Sequence, residues 1–323
     1  MDDKLPSSPA EQRDDGPPCS RVLVTGALGN VGREVLRALA ARGIAARAAV
    51  RSVERARAVL GPEADVVALD FLDARTFQPA LAGCDALFLL RPPALSDVKP
   101  TLNRLVDVAV AGGIRHIVFL SVVGADMNKL LPHHAVERHL EQQSRTGWTL
   151  LRPGFFAQNL GHAYRRDIVE DGRIYVPAGK SSVAFVDVRD VAEVAARVFA
   201  APRAHAGKAH TLTGPEHFTF LEVAETLTEA LGIHVRYQSA SMPGYLLHLA
   251  RRGLPASQVL VQTVLHAGLR SGQAARVDPT LTRLLGRPGR TMRDYVHDHV
   301  SLWKTAPAAG RNPAPGSHAK EAR

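Results

Sequence analysis

Short apolar runs alternate with amphipathic stretches along the first half of the chain. "RVLVT" (21–25) reads as a strand, and Val31 to Ala41 as a helix with Val31, Val35, Leu36 and Leu39 on one face. The pattern repeats as "IAARAAV", then "VERARAVL"; as "ADVVALD", then "ARTFQPALA"; and as "DALFLL", then "DVKPTLNRLVDVAVAGG", which its glycines end. It closes with "IRHIVFLS", "LPHHAVERHLEQQSRTG" and "WTLLRP". Strands that are apolar on both faces and alternate with helices predict a parallel sheet covered on both sides, a doubly wound α/β fold with right-handed crossovers.

After Pro153 the rhythm changes. "DVRDVAEVAARVFAAP" predicts a helix entered through Asp187 or Asp190, and "KAHTLTG" a strand. "TFLEVAETLTEALG" predicts a helix capped by Thr219, with Glu222 three residues on. "HVRYQ" reads as a short strand, and the rest to Trp303 as mostly helical. The expected organisation is a disordered leader (1–20), a nucleotide-binding domain (21–154), a smaller α/β substrate lobe (155–304) over the carboxyl edge of the sheet, and a disordered tail (305–323). Pro, Gly, Ala and charge dominate both ends.

Composition narrows the function classes. The net charge of +9 comes mostly from arginine, but the arginines are scattered and no basic run alternates with aromatics. Nucleic acid is therefore disfavoured as a partner. Two cysteines, Cys19 in the polar leader and Cys84, expected to be buried at the start of a strand, make no disulfide framework. The leader lacks the apolar core of a signal peptide and no run is long enough to span a membrane, so a cytoplasmic protein is expected.

Between the first strand and helix lies "VTGALGNVGREV", with Gly26, Gly29 and Gly32 three apart. The tight turn needs Gly26, a pyrophosphate can approach the backbone at Gly29, and Gly32 lets the helix pack on the strand. The helix N-terminus then supplies N–H groups and partial positive charge to phosphates. This context makes the fold Rossmann-type, with a smaller, mostly helical C-terminal lobe. A site preferring NAD places an acidic residue at the end of the second strand. Here "AAVRSVERA" puts Arg51 and Ser52 there, favouring NADP(H) over NAD(H), because guanidinium binds a 2′-phosphate bidentately. Alternatively, Arg51 pairs with Glu54 on the surface.

The G-x-x-G-x-x-G spacing resembles that of extended and atypical short-chain dehydrogenases/reductases. Further stretches resemble their NmrA-like branch: "AAVRS", "ALDFLD", "AGCDALFLLRPP", "RHIVFLSVVGAD", "HHAVERHLEQQSRTGWTLLRPGFFAQNL", "FVDVRDVAEVAARVF" and "RTMRDYVHDHVSLW". That branch includes quinone, azo-dye and triphenylmethane reductases, isoflavone-reductase-type enzymes and redox-sensing regulators. The resemblance implies a phosphate loop of Gly26, Leu28, Gly29, Asn30, Val31 and Gly32, with Arg51 reading the 2′-phosphate. It implies Asp70 and Phe71 at the adenine, and Leu89, Arg91 and Pro92 beside the nicotinamide ribose. Phe155, Phe156 and Asn159 would face the substrate.

The superfamily's Tyr-x-x-x-Lys is absent, since no tyrosine is followed by lysine at that spacing. Two catalytic candidates remain. Ser121 ends the fifth strand, where it serves equally as a turn residue. His133 matches the lysine of isoflavone-reductase-type relatives and, near its ordinary pKa, could donate a proton; its alternative is an i,i+4 pair with Glu137. His133, His134, Glu137 and His139 lack the H-E-x-x-H order, so no metal is expected. The expected function is an NADPH-dependent reductase of a small aromatic or conjugated acceptor. The alternative is a non-catalytic NADP(H)-binding sensor acting through a protein partner.

Overall fold

The computed structural model describes residues 16–304. Seven parallel strands form one sheet in the order β3-β2-β1-β4-β5-β6-β9. They are β1 (Arg21–Val24), β2 (Ala45–Val50), β3 (Val66–Ala68), β4 (Ala86–Leu90), β5 (His116–Leu120), β6 (Gly147–Pro153) and β9 (Lys208–Leu212). The side-chain period of two divides each strand between two cores. On one side Val22, Val24, Ala48, Ala86, Phe88 and Val118 meet α1 (Asn30–Ala40) and α7 (Val188–Ala200), which pack on each other. On the other, Leu23, Leu87, Leu89, Ile117, Phe119 and Leu150 meet α3 (Phe77–Leu81), α4 (Arg104–Ala111) and α5 (Pro132–Glu141). The short helix α2 (Val53–Leu60) follows β2.

A third core builds a C-terminal lobe from α6 (Arg165–Asp171), α9 (Phe220–Leu231), α10 (Met242–Arg251), α11 (Ala256–Gly268) and α13 (Met292–Asp298). Two small ribbons accompany them. In one, β7 (Arg173–Val176) pairs in parallel with β11 (Arg236–Ser239); in the other, β8 (Ser182–Val183) pairs antiparallel with β10 (Phe218–Thr219). Thr219 and Glu222 form the expected reciprocal cap on α9, and Asp187 is the N-cap of α7.

The expected boundary at 154/155 does not separate the cores. Strand β9 adds to the sheet beside β6, α7 covers it, and α12 (Thr280–Leu285) returns to seat Leu281 and Leu285 in the same core. "KAHTLTG" is thus a sheet strand, because its alternating His210 and Leu212 complete the buried edge beyond β6. The leader also differs from expectation where it is described. Cys19 is buried and donates its N–H to Phe199 O at 2.8 Å, while Asp85 accepts from the N–H groups of Ser20 and Arg21. Cys84 is half-buried. The remainder of the leader and the tail lie outside the described residues. Among the described residues no helix is long and apolar enough to cross a membrane.

Candidate functional site

The sheet order reverses between β1 and β4, and ligands of open α/β sheets bind at the carboxyl ends of the strands at that point. Thr25 fixes the pair there: its hydroxyl donates to Phe88 O at 3.1 Å and accepts from Leu90 N at 2.8 Å. The chain then turns at Gly26 with φ +61°, a conformation costly for any side chain. A Cβ on Gly32 would lie 2.7 Å from the Gly26 carbonyl carbon and 2.8 Å from Ala27 Cα. Helix and loop therefore touch backbone to backbone. Gly29 precedes α1 without capping it by any side chain, and the first turn holds no acidic residue. The result is an open cradle of N–H groups at the positive end of a helix, which fits a pyrophosphate.

Other expected residues follow the ends of the neighbouring strands, Arg51 after β2, Asp70 after β3, Arg91 after β4 and Phe155 after β6. Arg51 is exposed at the end of β2 and forms no ion pair among the described residues, so the alternative pairing with Glu54 is not made. Ser52 instead caps α2, accepting from Arg55 N. Asp70 follows β3 and accepts from Leu72 N at 2.9 Å through one oxygen, forming a tight turn.

Four expected positions do not present their side chains to the edge. The side chains of Leu89 and Phe71 are buried in the α3–α5 core, Leu89 because strand alternation turns it away from the edge. It is Leu90 that faces the loop, 3.0 Å from where a Gly26 Cβ would be. Val31 and Leu28 pack into the opposite core, leaving only their backbone to the cradle.

Arg91 folds over its own loop. One terminal nitrogen donates to the carbonyls of Pro92, Pro93 and Leu95 at 3.1, 3.3 and 2.6 Å, and Nε donates to His133 Nε2 at 3.3 Å. No acidic side chain pairs with this guanidinium among the described residues. His133 therefore joins the site from the start of α5, but not as expected. Burial, and secondarily the Arg91 cation, hold its imidazole down to about 4, so it is neutral at neutral pH. It does not pair with Glu137.

Glu137 is fully buried and occupied elsewhere: Ser121 Oγ donates to it at 2.5 Å, and Arg152 grips both its oxygens at 2.9 and 2.7 Å. Arg152 also reaches Asp126 at 3.0 Å. The hydroxyl proton of Ser121 is thus committed, which removes Ser121 as a donor to a substrate. This network joins the ends of β5 and β6. The sequence offered Glu137 only as a helical partner of His133; the arginine in "LLRP", on an otherwise apolar strand, was the available signal for a buried counter-ion. The other histidines diverge, His134 to Ala125 O and His139 to Asp107.

Beyond β6 the chain supplies the facing wall. Phe155 leans into the lobe, edge-on to Phe185 and His266. Phe156 leans the other way onto the sheet core, its backbone bridged to Val186. Asn159 is half-buried with no side-chain partner among the described residues. Behind Phe155, Tyr164 hydrogen-bonds His266, which in turn bonds Gln262 O at 2.6 Å. Sequence reading did not find this pair, since nothing in its 102-residue separation signals contact.

Known proteins agree with this geometry. A family model described as NAD(P)H-binding matches residues 26–202. The chain is 31% identical over 288 residues to the NAD(P)H azoreductase of Xenophilus azovorans, covering 88% of this chain and 100% of that one. The NADPH-dependent quinone oxidoreductase of Escherichia coli, solved with NADPH, superimposes with a TM-score of 0.76 at 27% identity, over 87% and 99% of the two chains. The triphenylmethane reductase of Citrobacter sp. shares the fold, with a TM-score of 0.75 at 24% identity over 86% and 99%. The chain belongs to the NAD(P)H-binding family.

Proposed function

We propose that this protein is an NADPH-dependent reductase that delivers hydride to a small aromatic or conjugated acceptor of quinone, azo or iminium type. The observation that carries the reading is a single sheet edge. It combines the glycine cradle and unpaired Arg51 with an apolar wall at Phe155 and one neutral imidazole at His133. The relatives that reduce azo compounds and quinones support the acceptor class. NAD(P)H, when bound, supplies the hydride.

The chain's own residues do the rest. The N-terminal amides of α1 hold phosphate, Arg51 selects the 2′-phosphate, and Phe155 and Asn159, with only the backbone of Phe156, seat the acceptor over the nicotinamide. Such acceptors take hydride readily, so positioning supplies much of the rate and no Tyr–Lys pair is required. NADPH consumption against a panel of quinones, azo dyes and iminium compounds tests this. Tight NADP(H) binding with turnover of none would refute it in favour of a redox sensor. Arg51→Ala should lower the preference for NADPH over NADH by roughly tenfold, the loss of one charge-assisted contact; an unchanged ratio sinks that assignment.

A further inference from the structure

The Arg91–His133 contact has a direction. Arginine carries only donors, so where its Nε–H meets His133 Nε2 at 3.3 Å the imidazole nitrogen must accept. A neutral imidazole that accepts at Nε2 carries its proton on Nδ1. That Nδ1 is buried and has no hydrogen-bond partner among the described residues. Buried donors without a protein partner are rare, and a ligand that reaches the ring would find this one unused. Arg91 is itself anchored by three backbone carbonyls, so its cation is held fixed against the ring.

We propose that Arg91 is a positioning residue: it locks His133 as the neutral Nδ1–H tautomer, and this N–H is the hydrogen-bond donor to the oxygen or nitrogen of the acceptor. The inference rests on the reductase reading and refines it. The acceptor, for instance a quinone, takes hydride from the dihydronicotinamide, which loses two electrons and becomes the oxidised cofactor. The negative charge that develops on the acceptor heteroatom is stabilised by the His133 Nδ1–H, which the adjacent cation polarises. His133 keeps its proton, because a neutral imidazole is too weak an acid to release it. Water supplies the proton that completes the reduced product.

The surrounding charges permit this. Glu137, the nearest carboxylate along α5, is held by Ser121 and Arg152, and Asp126 also faces Arg152. On the segment Lys99–Asn103 and on α4, Asp107 is bound to His139, while Lys99, Arg104 and Lys129 line an open groove. His134 is turned to Ala125 O. Arg91 is the charged group in contact with the ring.

Nitrogen-15 spectra of the histidine side chains in the cofactor-free protein, with His133 assigned by comparison with His133→Asn, test the lock without any turnover. The expected result is an Nδ1–H tautomer that does not titrate between pH 5.5 and 8, on the pH scale of an ordinary imidazole near 6.5. Hydride transfer from NADPH should be correspondingly flat over that range. Arg91→Met should release the ring to the Nε2–H tautomer and slow hydride transfer roughly tenfold, with the imidazole still neutral at pH 7 because burial is the main cause of its lowered value. Arg91→Lys, which keeps a cationic donor, should recover most of the loss. An Nε2–H tautomer or an imidazolium at pH 7 in the unaltered protein overturns the proposal, even if Arg91→Met fails to fold. Absence of turnover with every acceptor instead overturns the reductase reading, while the spectra still decide the lock.

Discussion

The edge of the sheet and the core of the C-terminal lobe solve opposite problems. At the edge the β1–α1 turn is nearly free of side chains: Gly26, Gly29 and Gly32 bring backbone against backbone and leave N–H groups open. The lobe is filled by rings instead. All five tyrosines of the chain belong to its core, with Phe155, Phe185, Phe218, Phe220, His266 and Trp303. Their polar ends are tied down locally, Tyr237 to Gly179 O at 2.8 Å and Tyr164 to His266.

The contrast explains the missing Tyr-x-x-x-Lys. Tyrosines in this chain are packing residues, and the hydroxyls of Tyr164 and Tyr237 are taken up by His266 and by backbone carbonyls. What sits at the catalytic end of the sheet is a buried ion pair, Glu137–Arg152, and a neutral histidine. One region keeps donors open for a ligand, and the other packs its rings against one another.

The sharpest way to break the comparison is Gly32→Val. The added atoms collide with main chain that cannot move aside, so stability should fall by about 4 kcal/mol and NADPH binding should be lost. Urea unfolding and cofactor fluorescence measure both; normal affinity would mean that the loop is not the phosphate site. Next comes Glu137→Gln. It leaves Arg152 buried without its counter-charge and should cost about 3 kcal/mol. A loss under about 1 kcal/mol would show that the network is solvated.

Acid tests both regions together. His116 and His210 in the sheet and His266 in the lobe are each held down to about 4 by burial. Their folded values lie below the ordinary 6.5, so unfolding takes up protons between pH 6.5 and 4. Stability should be level above about pH 7 and decline as the pH falls through that window, by roughly 1 kcal/mol per histidine at pH 5.5. A urea midpoint that does not change from pH 7.5 to 5 would contradict these environments. The smallest effect is expected from Tyr164→Phe. It strands His266 Nε2 and should cost about 1 kcal/mol with cofactor affinity unchanged. A weakened cofactor complex would show that the lobe core and the sheet edge are coupled.

Much of this was legible because it is local. The periodicity of apolar positions gave α2 its limits at Val53 and Leu60, the Thr219–Glu222 cap its place, and the glycine turn its function, since each depends on neighbours in sequence. The register of side chains was less legible. Leu89 and Leu90 look alike in "DALFLL", and only the pairing of β4 between β1 and β5 decides which of them faces the loop. Still less so were contacts between distant segments. Strand β9 joins the sheet after a helical excursion, Arg152 finds Glu137, Arg91 finds His133, and His266 closes on Tyr164. The sequence by itself determined the doubly wound sheet and its nucleotide cradle, because hydrophobic period and backbone freedom are properties of adjacent residues. Only the tertiary structure decided the state of His133 and the fate of Ser121, because a proton's position depends on burial and on charges brought from elsewhere in the chain.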